Sequence, residues 1–146
     1  MATGLGIGSS LERPDRAGTA VSVLHASTNR ADLTTLRNIL RHTNWTLFQA
    51  SSVEDARECI RRERISVIIC DYEVCAKHWK ELFDEFCRED DAPMFVVSSA
   101  RATDDVWAEA LHLGAQEVLA TPFDSKEVYW VVSHSHLAWQ HVGRWS

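Results

Sequence analysis

The sequence has no apolar run approaching the roughly 20 residues that cross a bilayer, so it predicts no membrane span. Positive charge is in short supply: 15 Lys and Arg stand against 21 Asp and Glu, a formal net charge of −6. That balance works against attraction to phosphate backbones and removes nucleic acid from the expected partners. Cys59, Cys70, Cys75 and Cys87 form no Cys-x-x-Cys pair, which leaves no zinc or dithiol motif and predicts reduced thiols in a cytoplasm. Residues 1–19 lack periodicity, and they lack the basic start and long apolar core of a signal peptide, so they read as a flexible arm. Gly4, Gly6 and Gly8 lie in that arm with no strand before them and no phosphate-binding lysine after, which excludes a nucleotide loop. Neither a Gly-x-Ser-x-Gly elbow nor a Cys and His spacing typical of a catalytic nucleophile occurs, and no enzyme activity is predicted.

What the sequence does have is an alternation of short apolar runs with stretches of helical period, the mark of a parallel sheet covered by helices on both faces. The expected fold is α/β, a five-stranded doubly wound parallel sheet over residues 20–142, with a tail at 143–146. Strands are predicted at Val21–Leu24, Trp45–Ala50, Ile65–Cys70, from Pro93 through Val97, and Glu117–Ala120. The helices between them turn Leu33, Leu36 and Leu40, then Ala56 and Ile60, then Leu82 and Phe86, then Val106, Ala110 and Leu113 towards the sheet. Ser52 with Asp55 resembles a capping box, Thr103 can cap the fourth helix, and Gly114 suits its left-handed end. A closing helix presents Val128, Val131, Val132 and Ser135 inward. Asp71 ends the third apolar run as its only charge, and a carboxylate at the carboxyl edge of such a sheet faces the cleft where ligands bind.

With those elements in place, the chain resembles the response-regulator receiver family of two-component signalling from about Val21 to Trp139. Three features carry the resemblance: Asp71 at the third strand's end, Ser99-Ala100-Arg101 after the fourth, and Thr121-Pro122-Phe123 where the family has Lys-Pro-Phe. Their spacings, 28 positions and then 22, follow the family pattern. The resemblance implies a flavodoxin-like three-layer sandwich, with Asp71 as candidate phosphoacceptor and His25, Ala26, Glu73, Ser99, Thr121 and Pro122 lining the site. It also implies a magnesium ion held by an acidic pair at the first strand's end, the acceptor, and the carbonyl two residues on.

Here that pair's positions hold His25 and Ala26, so only Asp71 and the Glu73 carbonyl remain as ligands, and neutral Thr121 replaces the family's lysine. One preorganised electrostatic group is worth about 10² to 10³ in rate, roughly 3 to 4 kcal/mol, so losing three predicts strongly impaired transfer. The Glu73 carboxylate can offer a substitute oxygen. His25 has two readings: a protonated imidazole paired with Asp71, or a neutral histidine at a strand end. The expected protein is an atypical receiver that signals through protein contacts, with a competent phosphoacceptor as the alternative and a flavodoxin-like small-ligand or enzyme domain as a third reading. Partners are a sensor histidine kinase or other signalling protein, or a second copy. Trp107, Leu111 and Trp130, with Leu137, are placed on an outward partner surface together with Val118, which stands where receivers often carry a switching aromatic. Cys75 and Trp79 predict a closed loop after Asp71. His134, His136 and His141 lack the spacing of a metal set and read as surface residues.

Overall fold

The computed structural model describes residues 20–73, 81, 92–112 and 114–145. The predicted arm, the predicted third helix with Leu82 and Phe86, and Cys75 and Trp79 lie outside the described residues. The described chain forms β1 (Ser22–Ala26), α1 (Arg30–Leu40), β2 (Thr46–Ala50), α2 (Val53–Arg62), β3 (Val67–Asp71), β4 (Met94–Ser99), α3 (Asp104–His112), β5 (Glu117–Ala120) and α4 (Ser125–Trp145). The five strands pair in parallel in the order β2-β1-β3-β4-β5. No helix among the described residues is long and apolar enough to cross a membrane.

Central β3 is buried on both faces, and its run of Val67, Ile68, Ile69 and Cys70 supplies an apolar side chain to each face in turn. One face carries Leu24, Ile68, Phe95, Val97 and Val118 and packs on Ala56 and Cys59 of α2 and Ala110 of α3. The other carries Val23, Val67, Ile69, Val96 and Leu119 and packs on Leu36 and Leu40 of α1 and on Val128, Val131 and Val132 of α4. Each such side chain, fully buried, stabilises the fold by about 1.5 to 3 kcal/mol, which makes the alternation the main determinant of register.

The helices start where their caps predict. Asn29 Oδ1 accepts the Asp32 amide (3.0 Å), Ser52 Oγ accepts the Asp55 amide (3.1 Å), and Thr103 Oγ1 accepts the Val106 amide (3.4 Å). Gly114, at φ 100°, ends the α3 segment, and the Ala115 amide beyond it donates to the Ala110 carbonyl (2.9 Å).

Three expectations change. β1 runs on to Ala26, because β2 and β3 flank it and offer ladder partners to His25 and Ala26 whatever their propensity. Leu33 is only half-buried, while Leu36 and Leu40 carry the contact. α4 continues through residues 143–145, set apart above as a tail, and His136, expected on the surface, is buried.

His136 in α4 is buried, with Nδ1 2.8 Å from the Ser66 hydroxyl just before β3. The Ser66 hydroxyl also lies 3.2 Å from the Ser22 carbonyl, so one side chain ties α4 to the feet of β1 and β3. Trp139 is the largest fully buried side chain among the described residues, stacked on His136 at 5.5 Å and lying 5.2 Å from the Arg64 guanidinium. Over 21 residues α4 is about 32 Å long, against about 17 Å for β3, so the helix is longer than the sheet is deep.

Candidate functional site

Asp71 is the last residue of β3, half-buried at the carboxyl edge of the sheet between β1 and β4. Burial pushes its carboxyl above the usual carboxylate range, and the charges of Asp32 and Glu73 push the same way; amides of Glu73 and Tyr72 oppose them. Asp32 belongs to the first turn of α1, and burial raises its own carboxyl as well. Sequence reasoning passed over Asp32 because an acid in a first helical turn is what the helix dipole favours anywhere.

The register of β3 and β4 places Asp71 beside Ser98. Ser98 follows Val96 on the α1 and α4 face, as Asp71 follows Ile69, so both side chains leave the sheet on one side. Ser98 is fully buried, and its hydroxyl has no hydrogen-bond partner among the described residues. Ser99, expected to serve Asp71, instead stands level with Ala120 on the opposite face. Its hydroxyl accepts the Arg101 amide (3.0 Å) in the turn that leads to α3. A shift of one residue in a strand reverses faces, and the doublet Ser98-Ser99 hides which is which.

His25 is fully buried in β1, edge-on to the Phe123 ring at a centroid distance of 5.6 Å. Burial lowers its pKa from 6.5 to about 4, and neither ring nitrogen has a hydrogen-bond partner among the described residues. The imidazole is therefore neutral near pH 7, and the reading in which a charged His25 pairs with Asp71 is not the arrangement found. Ala26 turns its methyl into the α2 and α3 core. Thr121 follows β5 and donates its amide to the Ser99 carbonyl (3.0 Å); the peptide to exposed Pro122 is cis. Glu73 is exposed, and the Tyr72 hydroxyl between it and Asp71 donates to Glu109 of α3.

Of the outward positions, Leu111 and Trp130 are 51% and 54% exposed, and Leu137 is 50% exposed. Val118 is buried and Trp107 packs against the same core, so neither lies on an open surface. Val118 sits within a strand covered by α3, and Trp107 of α3 is partly buried against the same cluster.

Residues 23–133 match the response regulator receiver domain family. The chain belongs to that family. Three receivers of known structure share its fold. The receiver of a LuxO repressor homologue from Vibrio parahaemolyticus has a TM-score of 0.72 at 16% identity, over 83% of this chain and 93% of that one. A response regulator from Thermotoga maritima gives 0.70 at 19%, over 80% and 98%. The receiver of a sensor histidine kinase from Pseudomonas aeruginosa PAO1, with magnesium coordinated in its active-site cleft, gives 0.69 at 17%, over 81% and 98%. Among curated proteins nothing matches the sequence.

The magnesium ion that the family implies does not fit the residues of this receiver. Ala26 has no donor atom, His25 turns its ring onto Phe123, and no group of three or more His, Cys, Asp or Glu side chains suited to an ion gathers among the described residues. The charge beside Asp71 is negative, from Asp32 and Glu73, with no cation from Thr121 to balance it.

Proposed function

We propose that this receiver is an atypical one, impaired in magnesium-dependent phosphorylation at Asp71, which passes its signal by contact with a sensor histidine kinase or another signalling protein in the cytoplasm. The observation that supports it is His25. A neutral imidazole packed on Phe123 occupies the position from which the family's acidic pair would grip a cation, and Thr121 supplies no charge in its place. Transfer of a phosphoryl group to an aspartate depends on neutralising the charge of the moving oxygens, so a site whose neighbours are acidic stabilises the reaction poorly.

A second reading, a competent phosphoacceptor, draws on Ser98. Its buried hydroxyl stands beside Asp71 with no hydrogen-bond partner among the described residues, where it can bond a phosphoryl oxygen. One experiment separates the two: treat the protein with a small phosphodonor and with beryllium fluoride, each with and without magnesium, and read intact mass and tryptophan fluorescence. The atypical receiver gives neither a mass gain nor a fluorescence change. Magnesium-dependent labelling that disappears in Asp71→Asn establishes the second reading and removes the first.

A further inference from the structure

Tyr72 holds two places at once. Its backbone amide, with that of Glu73, donates to the Asp71 carboxylate. Its side chain leaves the sheet on the face opposite to Asp71, packs against the same α2 and α3 core cluster as Trp107, and donates its hydroxyl to the Glu109 carboxylate of α3. A phenol bonded to a carboxylate is a charge-assisted contact, stronger than a neutral one. One residue therefore joins the acid at the rim to a side chain 37 positions further along the chain.

The helix it reaches is the most easily moved of those described. Within Asp104–His112 only Ala110 is buried, against two residues in α1 and two in α2. A helix with few buried apolar contacts opens locally at lower cost than the core around it, so a polar tie is a larger share of what holds it. Glu109 precedes Ala110, and Leu111 beyond it is half exposed, so the tie lands beside the anchor of α3 and beside an apolar side chain open to a partner. No such link runs through β5, where Val118 is buried and has no polar side-chain atom to make or break a bond. The turn after β4 offers the other path, from Ser99 Oγ to the Arg101 amide, but Ser99 faces away from Asp71.

We propose that Tyr72 couples the Asp71 carboxylate to α3. A phosphoryl group, a partner's cation or any other change that weakens the hold of the carboxylate on the Tyr72 amide turns that residue, parts its hydroxyl from Glu109 and loosens the helix that carries Leu111. The coupling rests on the reading of a receiver that signals by contact, and it holds whether or not Asp71 takes a phosphoryl group.

Amide NMR spectra and hydrogen exchange of the full chain test this, with Asp71→Asn standing for a neutralised site. In the otherwise native chain Asp71→Asn is expected to shift the α3 amides and to speed their exchange by about threefold to tenfold, the range of one lost hydrogen bond, while β3 and β4 keep their protection. Loosening confined to α3 separates coupling from a general loss of stability. In Tyr72→Phe, which keeps the ring and loses only the hydroxyl, adding Asp71→Asn is expected to leave α3 unchanged. Glu109→Gln, which keeps an acceptor, is expected to preserve part of the response and Glu109→Ala to abolish it. A full response in Tyr72→Phe overturns the proposal and assigns the coupling to Ser99 and Arg101; a response that survives Glu109→Ala, or none in the native chain, overturns it too. No phosphodonor enters the measurement, so its outcome is separate from whether Asp71 can be labelled.

Discussion

Asp71 and Ser98 stand side by side at the ends of β3 and β4, a carboxylate and a buried hydroxyl on one face of the sheet, with Ser99 turned away from both. The pair sets the chemistry available at this rim. Substituting Ser98 by Ala removes a buried hydroxyl that forms no bond among the described residues, so stability is expected to hold or rise. Ser99→Ala gives up the bond to the Arg101 amide and is expected to lose about 1 kcal/mol. Urea titration of the two variants measures the difference. If any labelling of Asp71 occurs, Ser98→Ala should reduce it more than Ser99→Ala does; the reverse order would return the site to Ser99.

His25 makes stability depend on pH in a direction opposite to that of a salt-bridged histidine. Its pKa is about 4 when folded and 6.5 when free in solution, so between these limits the unfolded chain binds the extra proton. Stability contributed by the neutral ring is complete above pH 6.5 and falls as pH drops towards 4, by about 3 kcal/mol for a shift of this size. Denaturation midpoints measured across that interval should fall in the wild type and much less in His25→Leu. Equal slopes would mean that His25 titrates freely.

Asp71→Asn is expected to stabilise the protein near pH 7. The neutral amide escapes the burial penalty and the repulsion from Asp32 and Glu73, and loses part of its bonding to the amides of Tyr72 and Glu73. Because Asp71 is only half-buried, solvent screening limits the gain to about 1 kcal/mol or less. Thermal melts of the two proteins decide it, and a lower midpoint for the variant would show that the carboxylate is held by attraction rather than merely tolerated.

Trp139→Ala empties the largest fully buried site in the described molecule and is expected to remove about 3 to 5 kcal/mol, a large share of the about 5 to 15 kcal/mol typical of a domain. Ser66→Ala breaks the bond to His136 and the one to the Ser22 carbonyl, and about 1 to 2 kcal/mol should go with them. Guanidinium titrations give both values. A near-neutral Trp139 variant would place that end of α4 outside the cooperative core.

The fold was legible because the physics that builds it is periodic. Apolar residues two apart in Val67–Cys70, and three or four apart in α1 and α4, assign faces without knowledge of any contact, and caps such as Ser52 act within three residues. The site was legible only as far as Asp71. Ser98 and Ser99 are adjacent and chemically identical, and their roles are separated by the ladder register, which no local signal carries. Asp32 reaches the site through the placement of α1 over the sheet, and an acid at a helix start has an ordinary reason to be there. His136 was misplaced, and Trp139 was given no place, because inward position depends on how far α4 extends past the strands, a length that hydrophobic period does not report.

That length has a mechanical consequence. The upper end of α4 begins just after Phe123, the residue that closes over His25, and its lower turns clamp the foot of β3 through His136 and Trp139. A single helix thus spans the sheet from rim to rim, so the loop beside His25 and the foot of β3 are anchored to the same element.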